Sequence, residues 1–230
     1  MSVRLAAAVV SLLAQLSLAP LGFAQGRAPR GGGVTPPSGA QPSAQPNEPS
    51  RPLIEEKPIV TQHEIHVNGK TLAYHASTGM MPLKNAQGEI EANLFYVAYT
   101  LDGVTDLTKR PLMFAFNGGP GSASVWLHMG CIGPKRVKMN DDGSLPAPPY
   151  QLVDNDNTWL DQTDLVFIDP VGTGYSRAAN QTLQHRFNGL QGDIESVGEF
   201  IRLYLTRSER WASPLFLVGE SYGTTRVDIS

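Results

Sequence analysis

Cysteine is nearly absent from this chain, which has one, Cys131, among its 230 residues. A single cysteine cannot form an intramolecular disulfide bond, so the sequence excludes a disulfide-stabilised scaffold. We expect Cys131 to be a small buried hydrophobic residue, because such cysteines are far more common than catalytic thiols.

Blocks of positive charge are also missing. The chain has 18 Lys and Arg residues against 21 Asp and Glu residues, a formal net charge of −3, and its basic residues form no cluster. Nucleic acids and anionic membrane surfaces attract basic patches, so we expect neither as a partner. No spacing of histidines and carboxylates is typical of a metal site, and we expect no metal and no cofactor.

No uninterrupted apolar run reaches the roughly 18 residues that a membrane-spanning helix needs. The nearest is the stretch Leu5–Leu18, which follows Arg4 and is interrupted by Gln15. Small residues three and one positions before the cut complete the pattern of a secretory signal peptide cleaved after Ala24. We therefore predict a signal peptide over residues 1–24, no stable membrane anchor, and export to the periplasm or the extracellular space.

Bulky apolar residues are scarce over residues 25–57, where Pro, Gly, Ser, Ala and Gln dominate. Such a segment buries too little surface to offset the entropy of ordering, so it predicts a disordered linker; a proline-rich docking ligand is the alternative. The remaining residues, 58–230, are enough for one domain with a sizeable core.

Strand patterns open this domain. Residues Thr61–Val67 alternate, Asn68-Gly69 is a strong signal for a type I′ turn, and Lys70–His75 continues the pattern. Together they predict an antiparallel β-hairpin. A further strand is predicted over Ala92–Thr100.

Three short apolar segments predict buried strands: Pro111–Phe116, Asp164–Asp169 and Leu215–Val218. One helix is predicted over about Ser122–Met129, and apolar residues at helical spacing predict another with its cap at Asp193. Strands that alternate with helices indicate an α/β fold with a mostly parallel sheet, to which the N-terminal hairpin adds antiparallel strands.

The segment Gly219–Gly223, with the sequence Gly-Glu-Ser-Tyr-Gly, follows the last of these strands. A serine at the apex of a sharp strand-to-helix turn, with glycines that permit the turn, is the nucleophile elbow of an α/β-hydrolase. We therefore predict an α/β-hydrolase fold with Ser221 as the nucleophile. That fold places its acid and histidine after the serine, yet one carboxylate, Asp228, and no histidine follow Ser221. We expect a domain truncated after the elbow.

A glycine-rich segment, Asn117–Ser122, follows the first buried strand. In isolation its Gly-Gly-Pro-Gly would predict only a turn before a helix. In an α/β-hydrolase, the loop at this position donates one N–H to the oxyanion. The residue after the nucleophile, here Tyr222, donates the other. We therefore predict an oxyanion hole next to Ser221.

Four motifs together resemble the serine carboxypeptidases of peptidase family S10, in particular the N-terminal portion of a bacterial-type member. They are Asn117–Ser124, Gly133-Pro134, Asp169–Ser176 and Gly219–Gly223, in the family's order and approximate spacing. The resemblance implies an exported serine-type peptidase that removes C-terminal residues from peptides with a free C-terminus, through an acyl-enzyme.

The resemblance also implies the roles of six residues. They are the nucleophile Ser221, the oxyanion donors Gly119 and Tyr222, and the residues that bind the substrate carboxylate, Asn117, Gly118 and Glu220. A second carboxylate-binding glutamate of the family would fall at Cys131, so this chain departs from the pattern there. Glu220 can bond a substrate carboxylate only if the two share a proton, which predicts binding that weakens as pH rises. The alternative role for Glu220 is a hydrogen-bonded structural residue of the elbow.

The remaining candidates are assigned to packing or to the surface. All five histidines precede Ser221, in the wrong chain order for the base of this fold. The loop Val171–Ser176 lacks the spacing of a phosphate-binding motif and is predicted to pack on the sheet and form a pocket wall. Trp126 and Trp159 are predicted to be core or cleft aromatics.

Two other functions stay open. Another acyl-transfer enzyme on the same scaffold, an esterase or an acyltransferase, would use the same nucleophile. A non-catalytic exported protein that binds peptides would keep the groove without the triad.

Overall fold

The computed structural model describes residues 53–229. The predicted signal peptide, 1–24, and most of the predicted linker lie outside this range. The last residues assigned to the linker contact the domain, because the Ile54 carbonyl accepts a hydrogen bond from Asn93, and Glu55 pairs with Lys84 at 2.6 Å. The folded region therefore begins a few residues before the predicted boundary at Lys57.

Residues 53–229 form nine strands, four α-helices and one π-helical turn. The strands are β1 Ile59–Val67, β2 Lys70–Lys84, β3 Ile90–Leu101, β4 Leu112–Phe116, β5 Lys135–Val137, β6 Leu152–Asp154, β7 Asp164–Ile168, β8 Arg177–Ala178 and β9 Leu215–Gly219. The helices are α1 Val125–Leu127, α2 Gln181–Asn188, α3 Leu190–Arg207 and α4 Gly223–Ile229, and the π-helical turn is His128–Ile132.

The main sheet has the strand order β1-β2-β3-β7-β4-β9, with the short β8 paired to β3. β4 pairs in parallel with β7 and β9, while β1, β2, β3 and β7 pair antiparallel. The predicted α/β-hydrolase fold is confirmed, and its antiparallel part is larger than the predicted hairpin. β5 and β6 form a separate two-stranded sheet.

The predicted hairpin is confirmed, and its second strand is longer than expected. Asn68 and Gly69 have φ values of 50° and 74°, as a type I′ turn requires, and Val67 faces Lys70 across it. β2 continues to Lys84, because β3 pairs with it along nearly its whole length.

The core lies on both faces of the sheet. Every residue of β4 is buried, and side chains alternate between the faces, with Phe114 and Phe116 on one and Met113 and Ala115 on the other. The first face packs against α3, where Phe200 is fully buried. This packing holds β4 at the centre of the parallel strands.

Two predicted helices differ from the structure. The predicted helix over 122–129 is wrong except for the three residues of α1, which lead into the π-helical turn. The predicted cap at Asp193 is also wrong, because α3 begins at Leu190 after Gly189. The helix α2 was not predicted, although the Asn180 side chain caps it by accepting the Leu183 N–H at 2.9 Å. None of the helices in residues 53–229 combines the length and apolar character that a membrane span requires.

Candidate active site

The site lies where the parallel strands β4 and β9 end. Asn117 directly follows β4, and Glu220 and Ser221 directly follow β9. Because neighbouring parallel strands end at one edge of a sheet, these residues meet there, as ligand sites of open α/β sheets do.

The turn after β9 has the backbone of a nucleophile elbow. Ser221 has a φ of 56°, a left-handed conformation that non-glycine residues rarely adopt and that presents its exposed side chain at the apex. A Cβ at Gly219 would lie 2.2 Å from the Gly223 carbonyl oxygen, and one at Gly223 would lie 2.7 Å from the Phe116 oxygen. Both flanking glycines are therefore required by close backbone approaches.

The glycine-rich loop after β4 packs directly on this elbow. A Cβ at Gly118 would lie 2.4 Å from the Tyr222 nitrogen, so the two backbones touch. Gly119 has a φ of 109°, which strongly favours glycine. Within residues 53–229, neither the Gly119 nor the Tyr222 N–H donates a hydrogen bond to a protein acceptor. The donor capacity of these two amides is therefore not used by protein acceptors in this part of the chain.

Asn117 connects the loop to the elbow. Its Nδ2 donates to Glu220 Oε2 at 3.1 Å, and its Oδ1 accepts the Leu127 N–H at 3.0 Å. Asn117 is buried, while Glu220 is exposed to solvent. The amide therefore orients the glutamate, whose carboxyl group remains accessible to a ligand.

A cleft of about 540 Å³ opens over these residues. Its lining consists of Asn117, Gly119, Ser122, Trp126, Leu127, Cys131, Glu220 and Ser221. Of the six predicted site residues, four line the cleft, and Gly118 and Tyr222 contact each other at its edge. Trp126 is a cleft aromatic, as predicted.

The predicted burial of Cys131 is wrong. Its thiol is exposed and lies in the same cleft as Ser221. The reason is the π-helical turn, which carries Cys131 outward while it buries Ile132. The position that departs from the family pattern therefore faces the ligand space.

Asp169, at the end of β7, is a site-supporting residue whose role the sequence did not reveal. Its Oδ1 accepts the Ser124 N–H at 2.8 Å, which holds the end of the glycine-rich loop against β7. Burial raises the pKa of this carboxyl group. The following loop lines a second cavity, of about 620 Å³, together with Pro120 and Gly121. The predicted packing and pocket-wall role of that loop is consistent with this placement.

Arg226 and Asp193 form a buried ion pair beneath the elbow, which the sequence did not reveal either. Arg226 Nε donates to Asp193 Oδ2 at 2.8 Å, and Nη1 donates to the Asn117 carbonyl at 2.7 Å. Burial, with a smaller contribution from Asp193, raises the pKa of the Tyr222 hydroxyl. No local pattern signals this pair, because its partners lie 33 residues apart.

No histidine lines the Ser221 cleft in the part of the chain that the structure describes. His128 directly follows the cleft residue Leu127, but its ring stacks on Phe167 with ring centroids 4.4 Å apart. Its Nε2 lies 2.6 Å from the Tyr99 hydroxyl. Burial lowers the pKa of His128 to about 4. His128 is a packing histidine, as predicted.

The geometry agrees with a comparison of the sequence with known families. Residues 68–227 match the family model of serine carboxypeptidase, peptidase family S10. The chain belongs to the serine carboxypeptidase family. The match includes Asn117, Asp169 and the elbow.

Known members of the serine carboxypeptidase family are similar to this chain over part of their length. Serine carboxypeptidase-like 5 from Arabidopsis thaliana is 28% identical over 155 residues, which are 66% of this chain and 33% of that protein. The pheromone-processing carboxypeptidase KEX1 from Saccharomyces cerevisiae is 30% identical, over 63% of this chain and 20% of that protein. The chain thus spans between a fifth and a third of the length of these relatives. Both are eukaryotic, and they do not support the predicted bacterial-type subgroup.

A solved structure agrees with the fold. The crystal structure of Kex1(Δ)p, a prohormone-processing carboxypeptidase from Saccharomyces cerevisiae, matches with a TM-score of 0.50 and 28% identity. The match covers 64% of this chain and 31% of that one. The serine carboxypeptidase assignment therefore rests on sequence and fold together.

Proposed function

We propose that this chain carries the nucleophile, the oxyanion hole and the carboxylate-binding residues of a serine carboxypeptidase. The observation that supports this most is the contact between Gly118 and the Tyr222 amide, which brings both oxyanion donors beside Ser221. The hydrogen bond from Asn117 to Glu220 lies in the same cleft, where it would receive a substrate's C-terminal carboxylate.

In the proposed reaction, Ser221 Oγ attacks the carbonyl carbon of the last peptide bond. The carbonyl oxygen becomes an oxyanion that the N–H groups of Gly119 and Tyr222 stabilise. The C–N bond then breaks, the C-terminal amino acid leaves with a proton on its amine, and an acyl-enzyme remains. Water hydrolyses the ester and restores the serine.

The proton of Ser221 needs a base that residues 53–229 do not place in the cleft. All five histidines of the chain precede the elbow, and none lines the cleft. An unassisted serine hydroxyl is a weak nucleophile, so we expect negligible turnover from the 230-residue chain alone. Substantial peptidase activity that Ser221→Ala abolishes would contradict this expectation.

The carboxylate-binding part of the site uses one carboxyl group. Asn117 Nδ2 and a protonated Glu220 would each donate to the substrate carboxylate, while Cys131 occupies the position of the family's second glutamate. Because Glu220 must share a proton with the ligand, binding should weaken from acid to neutral pH. A dissociation constant that is flat over this range would exclude proton sharing.

Peptide binding to the purified chain tests the proposal without requiring turnover. An N-blocked dipeptide with a free C-terminus should bind at least about tenfold more tightly than its C-terminal amide, since the amide cannot form the shared-proton contact. Isothermal titration calorimetry at pH 5 measures both. Glu220→Ala should abolish the preference, whereas Glu195→Gln, an exposed change on α3, should preserve it.

Equal affinity for the free acid and the amide would contradict the carboxypeptidase proposal. It would favour an esterase or acyltransferase, because Cys131 leaves the carboxylate site with a single acidic residue. Selective binding of free C-termini by a form of the protein that is complete yet inactive would favour the non-catalytic peptide-binding role. The N-terminal sequence supports export of the protein as a further part of the proposal, to the periplasm or the extracellular space.

A further inference from the structure

Arg226 is the largest fully buried side chain of residues 53–229, with 1% of its surface exposed. It belongs to α4, and Tyr222 directly precedes that helix. Its guanidinium carbon lies 4.9 Å from the Tyr222 ring centroid and 5.8 Å from that of Phe116. Burying a charge so completely is costly unless strong partners compensate, so its contacts need an explanation.

The contacts of Arg226 reach both halves of the proposed oxyanion hole. Nη1 donates at 2.7 Å to the Asn117 carbonyl, which belongs to the peptide group joining Asn117 to Gly118. That planar group precedes the peptide that carries the Gly119 N–H. On the other side, the guanidinium lies over the ring of Tyr222, whose backbone N–H is the second donor.

Asp193 fixes the direction of the guanidinium. Its Oδ2 accepts from Arg226 Nε at 2.8 Å, and both side chains are buried. Asp193 lies in the first turn of α3, where the helix dipole favours a negative charge. The planar guanidinium thus binds Asp193 through Nε and the Asn117 carbonyl through Nη1 at the same time, a fixed geometry that a lysine ammonium would not impose.

We propose that Arg226, held by Asp193, is a positioning residue that sets the relative placement of the Gly119 and Tyr222 amides. The inference rests on the proposed function, because it assumes that these two amides bind the oxyanion. It adds two residues, from α3 and α4, that do not touch the substrate and act through the Asn117 carbonyl and the Tyr222 ring.

The test compares a planar and a tetrahedral ligand. The planar ligand is an N-blocked dipeptide with a free C-terminus, and the tetrahedral one is its phosphinate analogue, in which –PO₂–CH₂– replaces –CO–NH–. In Arg226→Lys the affinity for the phosphinate should fall by roughly tenfold more than that for the dipeptide, because misplaced donors matter most for the tetrahedral anion. Asp193→Asn is a second variant, which keeps an acceptor oxygen but removes the charge that holds the guanidinium, and it should show a selective loss in the same direction.

A second readout does not depend on any ligand. The ¹⁵N order parameters of the Gly119 and Tyr222 amides should fall in both variants from about 0.85, typical of rigid backbone, toward about 0.6. Arg210→Lys, in another buried ion pair far along the strands from the elbow, is the matched control and should leave both amides rigid.

The outcomes separate the two proposals. If the wild-type chain binds neither ligand, the carboxypeptidase proposal fails, and the order parameters alone decide the role of Arg226. Equal losses for both ligands in a folded Arg226→Lys variant, or amides as rigid as in the wild type, would show that Arg226 only stabilises the fold.

Discussion

The two ends of the parallel strands each bury an aspartate against arginine, with different consequences. Where β7 begins, Asp164 accepts from Arg110 Nε at 3.0 Å and from Arg210 Nη1 at 2.6 Å. Near the end of β9, Asp193 pairs with Arg226 at 2.8 Å. All five side chains are buried, so burial and charge pairing alone do not distinguish a structural cluster from a functional one.

The remaining hydrogen bonds of the arginines make the distinction. Arg110 donates to the Leu160 carbonyl at 2.6 Å, and Arg210 donates to the Arg110 carbonyl at 3.0 Å, so the first cluster closes loops between elements. Arg226 instead donates to the carbonyl of Asn117, the first residue of the predicted oxyanion loop. We therefore expect the first cluster to determine stability and the second to determine the geometry of the site.

The largest expected effect tests the structural end. Asp164→Ala leaves two buried guanidinium groups without their carboxylate, and should lower the free energy of unfolding by about 3–5 kcal/mol. Urea denaturation followed by circular dichroism measures it. The exposed Asp141→Ala should cause no measurable change, because a carboxylate at the surface contributes little to stability. A folded Asp164→Ala variant that binds peptide more weakly but loses little stability would contradict the distinction between a structural and a site-supporting cluster.

A pH effect should appear at the site end, through His128. Its pKa is about 4 in the folded protein, against about 6.5 when unfolded, so only the unfolded state takes up a proton between these values. Stability should therefore rise by about 3 kcal/mol from pH 4 to pH 6.5 through this group. Urea titrations across this range should show a shallower rise for His128→Gln. The exposed His185→Gln should keep the wild-type slope, and an equal slope in His128→Gln would contradict the assignment.

A smaller effect tests the contact between the loop and the elbow. Gly118→Ala places a methyl group 2.4 Å from the Tyr222 nitrogen, and should cost about 1–3 kcal/mol of stability as the backbones move apart. Gly198→Ala is the control in α3, where a Cβ meets nothing within 4 Å, and should stabilise the protein by about 0.5–1 kcal/mol. Thermal unfolding measures both. A tolerated Gly118→Ala with unchanged phosphinate binding would show that the loop position is not critical.

The smallest effect compares backbone strain at the two ends. Ser221, at the elbow, and Glu209, beside the Arg210 cluster, both have a φ of 56°. Replacing either with glycine should raise stability by about 1 kcal/mol, because glycine adopts this conformation without strain. Denaturant midpoints measure the gain. A gain at Glu209 but none at Ser221 would show that the elbow is not strained in the way its φ indicates.

The elbow and the glycine-rich loop could be predicted from sequence because their conformations are encoded locally. Ser221 follows an apolar strand and lies between Gly219 and Gly223, and Gly118 and Gly119 come one residue after another such strand. The contacts of these segments then confirm that no side chain fits at Gly118. A local pattern was sufficient here because the backbone itself forms the site.

The helix predicted after the glycine-rich loop failed for a tertiary reason. The Ser124 N–H is bound by Asp169, and the Leu127 N–H is bound by Asn117. These distant side chains hold the start of the segment in place and limit the α-helix to three residues. The π-helical turn that follows exposes Cys131, which composition alone had favoured as buried.

The sequence by itself determined the N-terminal hairpin, the order of the longer strands, and the positions of the elbow and of the glycine-rich loop that faces it, because hydrophobic periodicity and glycine placement act over a few residues. Only the tertiary structure decided which charges support the site. Asp193 and Arg226 are ordinary helix residues until the folding of α3 and α4 onto β4 buries them together beneath the Asn117 carbonyl. Once both side chains are buried, each charge needs the other to compensate its lost hydration. This mutual requirement arises from the packing of the chain and cannot be read from any short segment.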